Sequence, residues 1–187
     1  MLGIDVSENN SIVEWQAAVD AEAKFCIVRA GYGQGHEDSR FREYVAAAHD
    51  AGMQQVGAYW FSYALNADEA ASEGELCRQI IDNIGCTLEL PVFFDQEDSK
   101  WRKENNCDYV SLTAQCDAFA SALGPNCGIY ANYSWFTSYL DYEALKEKYP
   151  IWLAEYSANC DLECTIWQYS EQGSIGGYTT DLNTMGE

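Results

Sequence analysis

Residues 55–94 read QVGAYWFSYALNADEAASEGELCRQIIDNIGCTLELPVFF, and the order of their apolar runs sets the expected architecture. The run at 55–63 predicts a strand, residues 67–84 have helical spacing, and residues 88–94 form a second apolar run. Two strands joined by a helix of this length make a right-handed crossover, so the strands are parallel. The segment therefore predicts a parallel sheet covered by helices.

The same alternation of strand and helix continues on both sides of this unit. Further strands are predicted at 2–6, 25–30, 127–131, 151–154, 165–169 and 178–182, and further helices at 11–23, 41–51 and 109–122, with a broken helical segment at 134–149. Connections after residue 151 are too short for crossover helices. We therefore predict a single-domain α/β barrel of eight strands that lacks helices in its last third.

The charge of the chain excludes several classes of partner. The 187 residues include 10 Lys and Arg and 30 Asp and Glu, which gives a net charge of −20. Such a chain repels phosphate backbones and anionic membrane surfaces, so neither nucleic acid nor membrane is expected as a partner. No apolar run approaches the roughly 20 residues of a membrane helix, and no signal peptide precedes Asp5.

Cysteine is abundant, but the sequence assigns it no special chemistry. The eight cysteines are at positions 26, 77, 86, 107, 116, 127, 160 and 164. We expect mostly free thiols, because a chain of this size forms an adequate core and shows no secretion signal. No CxxC motif occurs, and only two histidines could add nitrogen ligands. Hence no zinc site is expected from these residues.

Acidic residues stand at the predicted ends of three strands. Asp5 ends the first strand, Asp95 and Glu97 follow the strand at 88–94, and Asp181 lies on the last one. Residues i and i+2 share a strand face, so Asp95 and Glu97 should enter the barrel mouth side by side. Two close carboxyls hold different pKa values, which suits glycoside hydrolysis. Among 30 acidic residues a D-x-E pattern also arises by chance. The presence of Asp5 and Asp181 on two other strands favours a functional site over chance.

Aromatic and cationic side chains accompany these acids. Aromatic faces stack on sugar rings, yet the same residues also fill cores, and both interpretations stay open for Tyr59, Phe61, Tyr63, Tyr130, Tyr156, Trp167 and Tyr169. Arg29 either keeps one acid ionised or forms a structural ion pair. The segment 98–103 contains three cations, which could contact an acidic substituent of a substrate or only be solvated.

Several sequence blocks occur together in one order along nearly the whole chain. They are 3–7 (GIDVS) with Trp15, 27–33 (IVRAGYG), 57–59 (GAY) with Phe61, 90–91 leading to Asp95 and Glu97, 128–130 (GIY), 152–156 (WLAEY), 167–169 (WQY) and 181–183 (DLN). This order resembles glycoside hydrolase family 25, the Chalaropsis-type muramidases of bacteria and phage endolysins. Asn9 and Asn10 depart from an expected Gln-Gly, and Trp60 stands where His is common, which bears on the sugar subsites.

The resemblance implies a flattened (β/α)5β3 barrel, with residues 1–187 as one catalytic domain. It implies cofactor-free hydrolysis of the β-1,4 bond from N-acetylmuramic acid to N-acetylglucosamine in peptidoglycan. Glu97 is then the general acid/base, Asp95 its partner, and Asp5 and Asp181 line the same site. The implied substrate-binding residues are Tyr59, Phe61, Tyr63, Tyr130, Tyr156, Trp167, Gln168 and Arg29.

The expected mechanism follows from the spacing of the acid pair. Asp95 and Glu97 lie on one side of the scissile bond, so Asp95 is placed to orient the substrate's 2-acetamido group rather than to attack the sugar. Direct attack by Asp5 or Asp181 is the alternative route. A non-catalytic wall-binding barrel and a carboxylate-metal hydrolase are the alternative functions.

The resemblance also carries expectations about context. We expect a protein without a signal peptide that is made in the cytoplasm of the host cell and reaches the wall after lysis. Anionic wall polymers repel a chain of charge −20. A C-terminal wall-binding domain beyond this chain is therefore expected.

Overall fold

The computed structural model describes residues 1–10, 14–97 and 100–186. Its strands are β1 Leu2–Val6, β2 Ala23–Tyr32, β3 His36–Glu37, β4 Gln55–Phe61, β5 Val92–Asp95, β6 Cys127–Asn132, β7 Ile151–Ala154, β8 Ile166–Ile175 and β9 Tyr178–Met185. Its helices are α1 Trp15–Asp20, α2 Phe41–Asp50, α3 Ala67–Asp82, α4 Lys100–Glu104, α5 Leu112–Leu123, α6 Tyr133–Ser138 and α7 Tyr142–Lys146, with a 3-10 turn at Tyr109–Ser111.

Eight strands close into a barrel in the order β1-β9-β8-β7-β6-β5-β4-β2, and β2 pairs with β1. Neighbours from β1 through β2, β4, β5, β6, β7 and β8 are parallel, whereas β9 is antiparallel to both β8 and β1. Helices follow the first five barrel strands and are missing among the last three. The predicted eight-stranded α/β barrel with a helix-poor tail is thus confirmed.

The direction of β9 was not foreseen in the sequence. Ile175 and Tyr178 pair across a two-residue turn at Gly176 and Gly177, whose φ values are 58° and 86°. Two residues with positive φ form the tight hairpin turn that joins antiparallel strands, and glycine adopts this conformation most easily. Asp181 therefore lies inside β9 and not at a strand end.

Other boundaries differ at the ends of elements. β8 is longer than predicted because its hairpin with β9 extends beyond the residues that pair with β1, and β9 is longer because it continues to Met185, which pairs with Ile166. The helical segment at 134–149 divides into α6 and α7. The short elements β3 and α4 were not predicted, since neither is long enough to show a period. Residues 11–13 of the predicted first helix lie outside the described residues.

The barrel interior is filled beneath the mouth by large apolar side chains. Phe25, Phe93 and Trp152 are almost completely buried there, and the rings of Phe93 and Trp152 lie 5.4 Å apart. Because side chains alternate along a strand, Phe93 packs inside the barrel and Asp95 faces the mouth. A larger core between the strands and the helices holds the outward-facing residues, including Trp60.

No helix in the described ranges is long and apolar enough to cross a bilayer. The eight cysteines are unbonded thiols in the structure, and the sulfurs of Cys160 and Cys164 lie 3.4 Å apart. Seven of the eight are buried or half-buried among apolar neighbours, and Cys86 is exposed. The oxidation state of these thiols stays a prediction.

Gly128→Ala should destabilise the barrel. A methyl group at Gly128 would lie 2.4 Å from the Phe93 ring and 3.0 Å from the Pro150 carbonyl oxygen. Overpacking of this kind lowers the free energy of unfolding by about 1–3 kcal/mol, measurable by urea denaturation. Gly186→Ala is the matched control, because a methyl group there meets nothing within 4 Å. Equal stability of the two variants would contradict the packing described.

Candidate active site

The barrel mouth contains a cleft of about 170 Å³ that brings the four predicted acids together. Its lining residues are Asp5, Ser7, Asn9, Arg29, Tyr59, Phe61, Asp95, Glu97, Tyr130, Trp152, Gln168 and Asp181. Of the predicted substrate-binding residues, five belong to this lining. Tyr63, Tyr156 and Trp167 do not.

Asp5 and Asp181 form the first carboxyl pair. They are opposite each other in the register of β1 and β9, which places both side chains on one face of the barrel wall. Burial and the negative charge of Asp181 raise the pKa of Asp5 from 3.8 to about 7, while hydrogen bonds from Asn183 and Gln168 act in the opposite direction. Burial also raises the pKa of Asp181, and the hydrogen bond from Asp5 acts in the opposite direction. Asp5 is therefore the partner that keeps a proton toward neutral pH.

Gln168 fixes the geometry of this pair. Its Nε2 donates to Oδ2 of Asp5 at 2.9 Å and lies 3.4 Å from Oδ2 of Asp181. Its Oε1 accepts from the hydroxyls of Tyr130 at 3.0 Å and Tyr156 at 2.8 Å. Since two phenol donors occupy the oxygen, the amide orientation is determined and the nitrogen must face the acids. Tyr156 thus supports the site from outside the cleft lining.

Asp95 and Glu97 form the second pair, on the wall made by β5. The strand ends at Asp95, but the backbone N–H of Gln96 still donates to the Tyr130 carbonyl at 2.9 Å. The Gln96 side chain is fully buried and donates toward Gln115, so alternation sends Asp95 and Glu97 to the cleft. Burial, and next the charge of Glu97, raise the pKa of Asp95 well above its ordinary value. Asp95 therefore holds a proton more readily than an ordinary aspartate does.

A buried cation lies behind Asp95. Arg102 on α4 is fully buried, and its Nη2 donates to Oγ of Ser62 at 2.9 Å. The Ser62 backbone N–H in turn donates to the Asp95 carbonyl at 3.1 Å. Burial raises the pKa of Asp95 and that of Glu73, the latter to about 7, and the charge of Arg102 acts in the opposite direction on both. Arg102 therefore lies in the interior, and neither substrate contact nor solvation, the two interpretations left open for the cations of this segment, applies to it.

The other two cations of that segment lie on α4, and Asp98 and Ser99 lie outside the described residues. Lys100 is exposed and pairs with Glu104 at 3.6 Å. An exposed pair of this kind contributes little free energy of unfolding.

Arg29 forms structural ion pairs, one of the two roles left open by the sequence. Its Nε donates to Asp38 at 2.8 Å and its Nη2 to Glu8 at 2.9 Å, and it lies over the Tyr32 ring. Asp38 also accepts the backbone N–H groups of Glu8 and Arg40. Arg29 lines the cleft, but its ion pairs connect β2 to the loop after β1 and to the start of α2.

Three further aromatic residues are placed by strand alternation. Trp167 lies on the face of β8 opposite to Gln168, and its indole N–H donates to the Glu155 carbonyl at 2.8 Å. Trp60 likewise faces the helices and is fully buried, so this departure from the family pattern does not touch the cleft. Tyr63 lines a neighbouring groove. Because Trp167 is on the face of β8 that points away from the cleft, its position does not support the substrate contact expected for it.

Sequence reasoning missed four residues of the site. Ser7, Asn9 and Trp152 line the cleft, and Asn183 donates to Oδ2 of Asp5 at 2.7 Å while accepting from the Trp152 indole at 2.8 Å. Three of them stand at even spacing from a predicted site residue: Ser7 and Asn9 follow Asp5, and Asn183 follows Asp181. The i, i+2 rule would have found Ser7 and Asn183, whereas Asn9 lies in the turn after β1, where strand alternation does not apply.

The lining offers proton-transfer groups and sugar-stacking rings. No group of three or more His, Cys, Asp or Glu in the part of the chain described is arranged to hold a metal ion. What the cleft contains is two carboxyl pairs on separate walls, each able to hold one proton, and phenol and phenyl rings between them. This arrangement suits general acid/base chemistry on a saccharide.

Comparison with known proteins assigns the family. The model for glycosyl hydrolases family 25 matches residues 4–178. The chain belongs to this family. An autolytic lysozyme of Clostridium acetobutylicum is 24% identical over 199 residues, which cover all of this family 25 chain and 56% of the relative. The chain thus spans little more than half of that lysozyme's length.

Solved structures share the family 25 fold. A lysozyme from Streptomyces coelicolor superposes with a TM-score of 0.83 at 21% identity, covering 100% of this chain and 92% of that one. The autolysin LytC of Streptococcus pneumoniae, solved with a synthetic peptidoglycan ligand, gives a TM-score of 0.81 at 22% identity and covers 97% and 46%. At these identities the likeness supports the closed eight-stranded barrel.

Asp5→Asn should change how the stability of this family 25 barrel depends on pH. The pKa of Asp5 is about 7 in the folded chain against 3.8 for an ordinary aspartate, so unfolding releases its proton between these values. The contribution of Asp5 to the free energy of unfolding is fully present below the unfolded pKa of 3.8 and is lost as the pH rises through the folded pKa of about 7. The loss is at most about 1.4 kcal/mol per pH unit. The variant should lose less stability than wild type in this interval, as measured by urea unfolding. Parallel pH profiles would contradict the assignment.

Proposed function

We propose that this chain is a peptidoglycan muramidase that hydrolyses the β-1,4 bond between N-acetylmuramic acid and N-acetylglucosamine. The observation that carries the proposal is the meeting of two carboxyl pairs in one cleft of a family 25 barrel. The autolytic lysozyme among the relatives and the peptidoglycan ligand of LytC support this substrate class. Bacterial peptidoglycan is then the partner, no cofactor is required, and residues 1–187 act as a catalytic domain.

Glu97 is proposed as the general acid/base. It is half-buried at the edge of the cleft, whereas Asp95 is 4% exposed at the end of β5. Before substrate binds, burial raises the pKa of Asp95, so the proton of the pair resides on Asp95. A substrate acetamido N–H that donates to Asp95 stabilises its ionised form and leaves the shared proton on Glu97. Binding of the correct sugar thereby places the proton where the leaving oxygen needs it.

The acetamido oxygen is proposed as the nucleophile that attacks the anomeric carbon. Asp95, ionised by the contact just described, holds the N–H and so aims the acetamido oxygen at the sugar. The cyclic intermediate is opened by water, which Glu97 deprotonates in the second step. Atoms balance, because the proton given to the leaving oxygen returns to Glu97 from water.

Asp5 and Asp181 are proposed to stabilise the positive charge that develops on the sugar ring. β1 is three strands away from β5 around the barrel, and the charge of Asp5 still raises the pKa of Asp95, so the two walls act on one small volume. Gln168 and Asn183 hold Asp5, and Asp181 carries the ionised charge of the pair. Direct attack on the sugar by Asp5 or Asp181 is the competing route.

Glu97→Gln should abolish clearing of a suspension of purified cell walls, because no other group is proposed to protonate the leaving oxygen. Loss of a general acid lowers turnover at least about a hundredfold, and Asp95→Asn should have a comparable effect by leaving the acetamido group unoriented. Glu147→Gln, an exposed carboxylate outside the cleft, is the matched control. Full activity of the Glu97 variant would refute the assignment.

The same assay separates the alternative functions. A non-catalytic wall-binding barrel would sediment with walls without releasing reducing ends. A carboxylate-metal hydrolase would lose activity in chelator and regain it with a divalent ion. Clearing that persists in chelator and depends on Glu97 is the result expected of the proposed muramidase.

Peptidoglycan that is N-deacetylated at the muramic residue should resist cleavage, because the proposed nucleophile is then missing. A cyclic thiazoline mimic of the intermediate should inhibit competitively. Both are measured as release of reducing ends, with fully acetylated walls as the control. A covalent sugar ester on Asp5 or Asp181, detected by mass spectrometry, would refute the assisted route and support direct attack.

A further inference from the structure

A second cleft of about 500 Å³ lies beside the barrel mouth. We call it the aromatic groove, and its lining residues are Tyr32, Gln34, His36, Tyr63, Leu65, Glu69 and Trp101. It is three times the size of the active-site cleft and shares no lining residue with it. The mechanism proposed above leaves the aromatic groove without a role.

The aromatic groove adjoins the active-site cleft, because lining residues of the two are in contact at two places. The ring of Phe61, which lines the cleft, lies 5.3 Å from the ring of Tyr63, which lines the groove. On the other side, the guanidinium of Arg29 in the cleft lies 5.0 Å from the Tyr32 ring in the groove. A chain-like ligand that leaves the cleft past Phe61 therefore meets the groove next.

The aromatic rings of the groove are held in place. The indole N–H of Trp101 donates to the Tyr63 carbonyl at 3.2 Å, and the two rings lie 6.3 Å apart. The Tyr32 ring stacks on His36 with an interplanar angle of 3°. Trp101 nevertheless keeps 49% of its surface exposed. A large indole that is fixed but uncovered indicates a surface built to contact a ligand.

The charges in the aromatic groove favour a neutral ligand. Its described lining contains one carboxylate, Glu69, and no Lys or Arg. Glu69 is occupied locally, since it accepts the backbone N–H of Leu65 and the side-chain amide of Asn66. Gln34 and His36 are exposed and can meet hydroxyl or amide groups. A phosphate or a peptide carboxylate would find no cation here, whereas a sugar ring meets flat apolar faces beside polar groups.

We propose that the aromatic groove is a distal saccharide subsite, which binds a further uncharged pyranose residue of the glycan chain whose scissile bond lies in the active-site cleft. The sugar stacks against Trp101 and Tyr63. This assignment rests on the proposed muramidase function, because the cleft must hold the same chain. It makes affinity depend on glycan length.

The experiment measures binding of peptide-free peptidoglycan fragments of increasing length by calorimetry, using Glu97→Gln to prevent turnover. Affinity should rise when fragments become long enough to reach the aromatic groove. Trp101→Ala in this background should remove that gain, about tenfold as judged from the usual strength of ring stacking, and leave the shortest binding fragment unaffected.

Two further variants guard against an indirect effect. Trp101→Phe retains a ring and should keep most of the gain, although it loses the N–H donated to Tyr63. Tyr139→Ala is the matched control, since Tyr139 is 51% exposed and lies outside both clefts. If Trp101→Ala weakens short and long fragments equally, Trp101 only supports the cleft and the subsite proposal is wrong.

The outcomes also separate this proposal from the muramidase function. Wild-type clearing of walls together with a length profile that Trp101→Ala leaves unchanged would overturn the subsite alone. Failure to clear walls, with no fragment bound by Glu97→Gln, would overturn both. A second series with stem peptides attached tests the other occupant. A gain that depends on Trp101 only in the peptide-bearing series would assign the groove to peptide and refute the saccharide.

Discussion

The pairing of β9 between β8 and β1 is the constraint on which the candidate site depends. It closes the barrel after the helices have ended, and its register places Asp181 opposite Asp5 and Asn183 beside it. Because side chains alternate with a period of two, a slip of one residue would turn Asp181 and Asn183 out of the cleft together. Asp5 would then lose two contacts that modify the pKa that burial raises: the charge of Asp181, which raises it further, and the 2.7 Å hydrogen bond from Asn183, which lowers it. The hairpin at Gly176 and Gly177 thus serves the chemistry as well as the closure.

The hydrogen-bond donors that contact Asp5 in the barrel mouth are neutral amides and not cations. Neutral donors contact Asp5 directly, namely the amides of Gln168 and Asn183. The two nearby arginines are engaged elsewhere, Arg29 with Asp38 and Glu8, and Arg102 with Ser62. A direct ion pair would lower the pKa of a buried carboxyl and remove its proton at neutral pH. With amides as its partners, Asp5 keeps a pKa that burial raises to about 7, so it holds a proton to higher pH than an ordinary aspartate does.

The sequence predicted the eight-stranded barrel, the helix-poor tail and the meeting of the four acids, because these follow from apolar period and strand alternation. It did not predict the direction of β9, because the period of apolar residues locates a strand without giving its direction. The signal for an antiparallel strand is the Gly176-Gly177 pair, which forms the hairpin turn. Trp167 was misplaced for a simpler reason: Gln168 and Trp167 cannot both face the mouth on one strand. The burial of Arg102 was beyond sequence reasoning, because a basic segment looks the same whether one guanidinium turns inward or not.

The separation of a small polar cleft from a large aromatic groove addresses a difficulty that the composition creates. A chain of charge −20 cannot use electrostatic attraction to hold an anionic wall, so affinity for the glycan has to come from contacts that carry no charge. Ring stacking is such a contact, and it acts far enough from the reacting bond to leave the carboxyl pairs undisturbed. The contact of the acetamido group with the buried Asp95 requires both groups to lose water, which costs free energy. Binding free energy gained at a remote sugar can offset this cost. The muramic carboxylate and stem peptide then need no cation at the groove, provided that they project away from its rings.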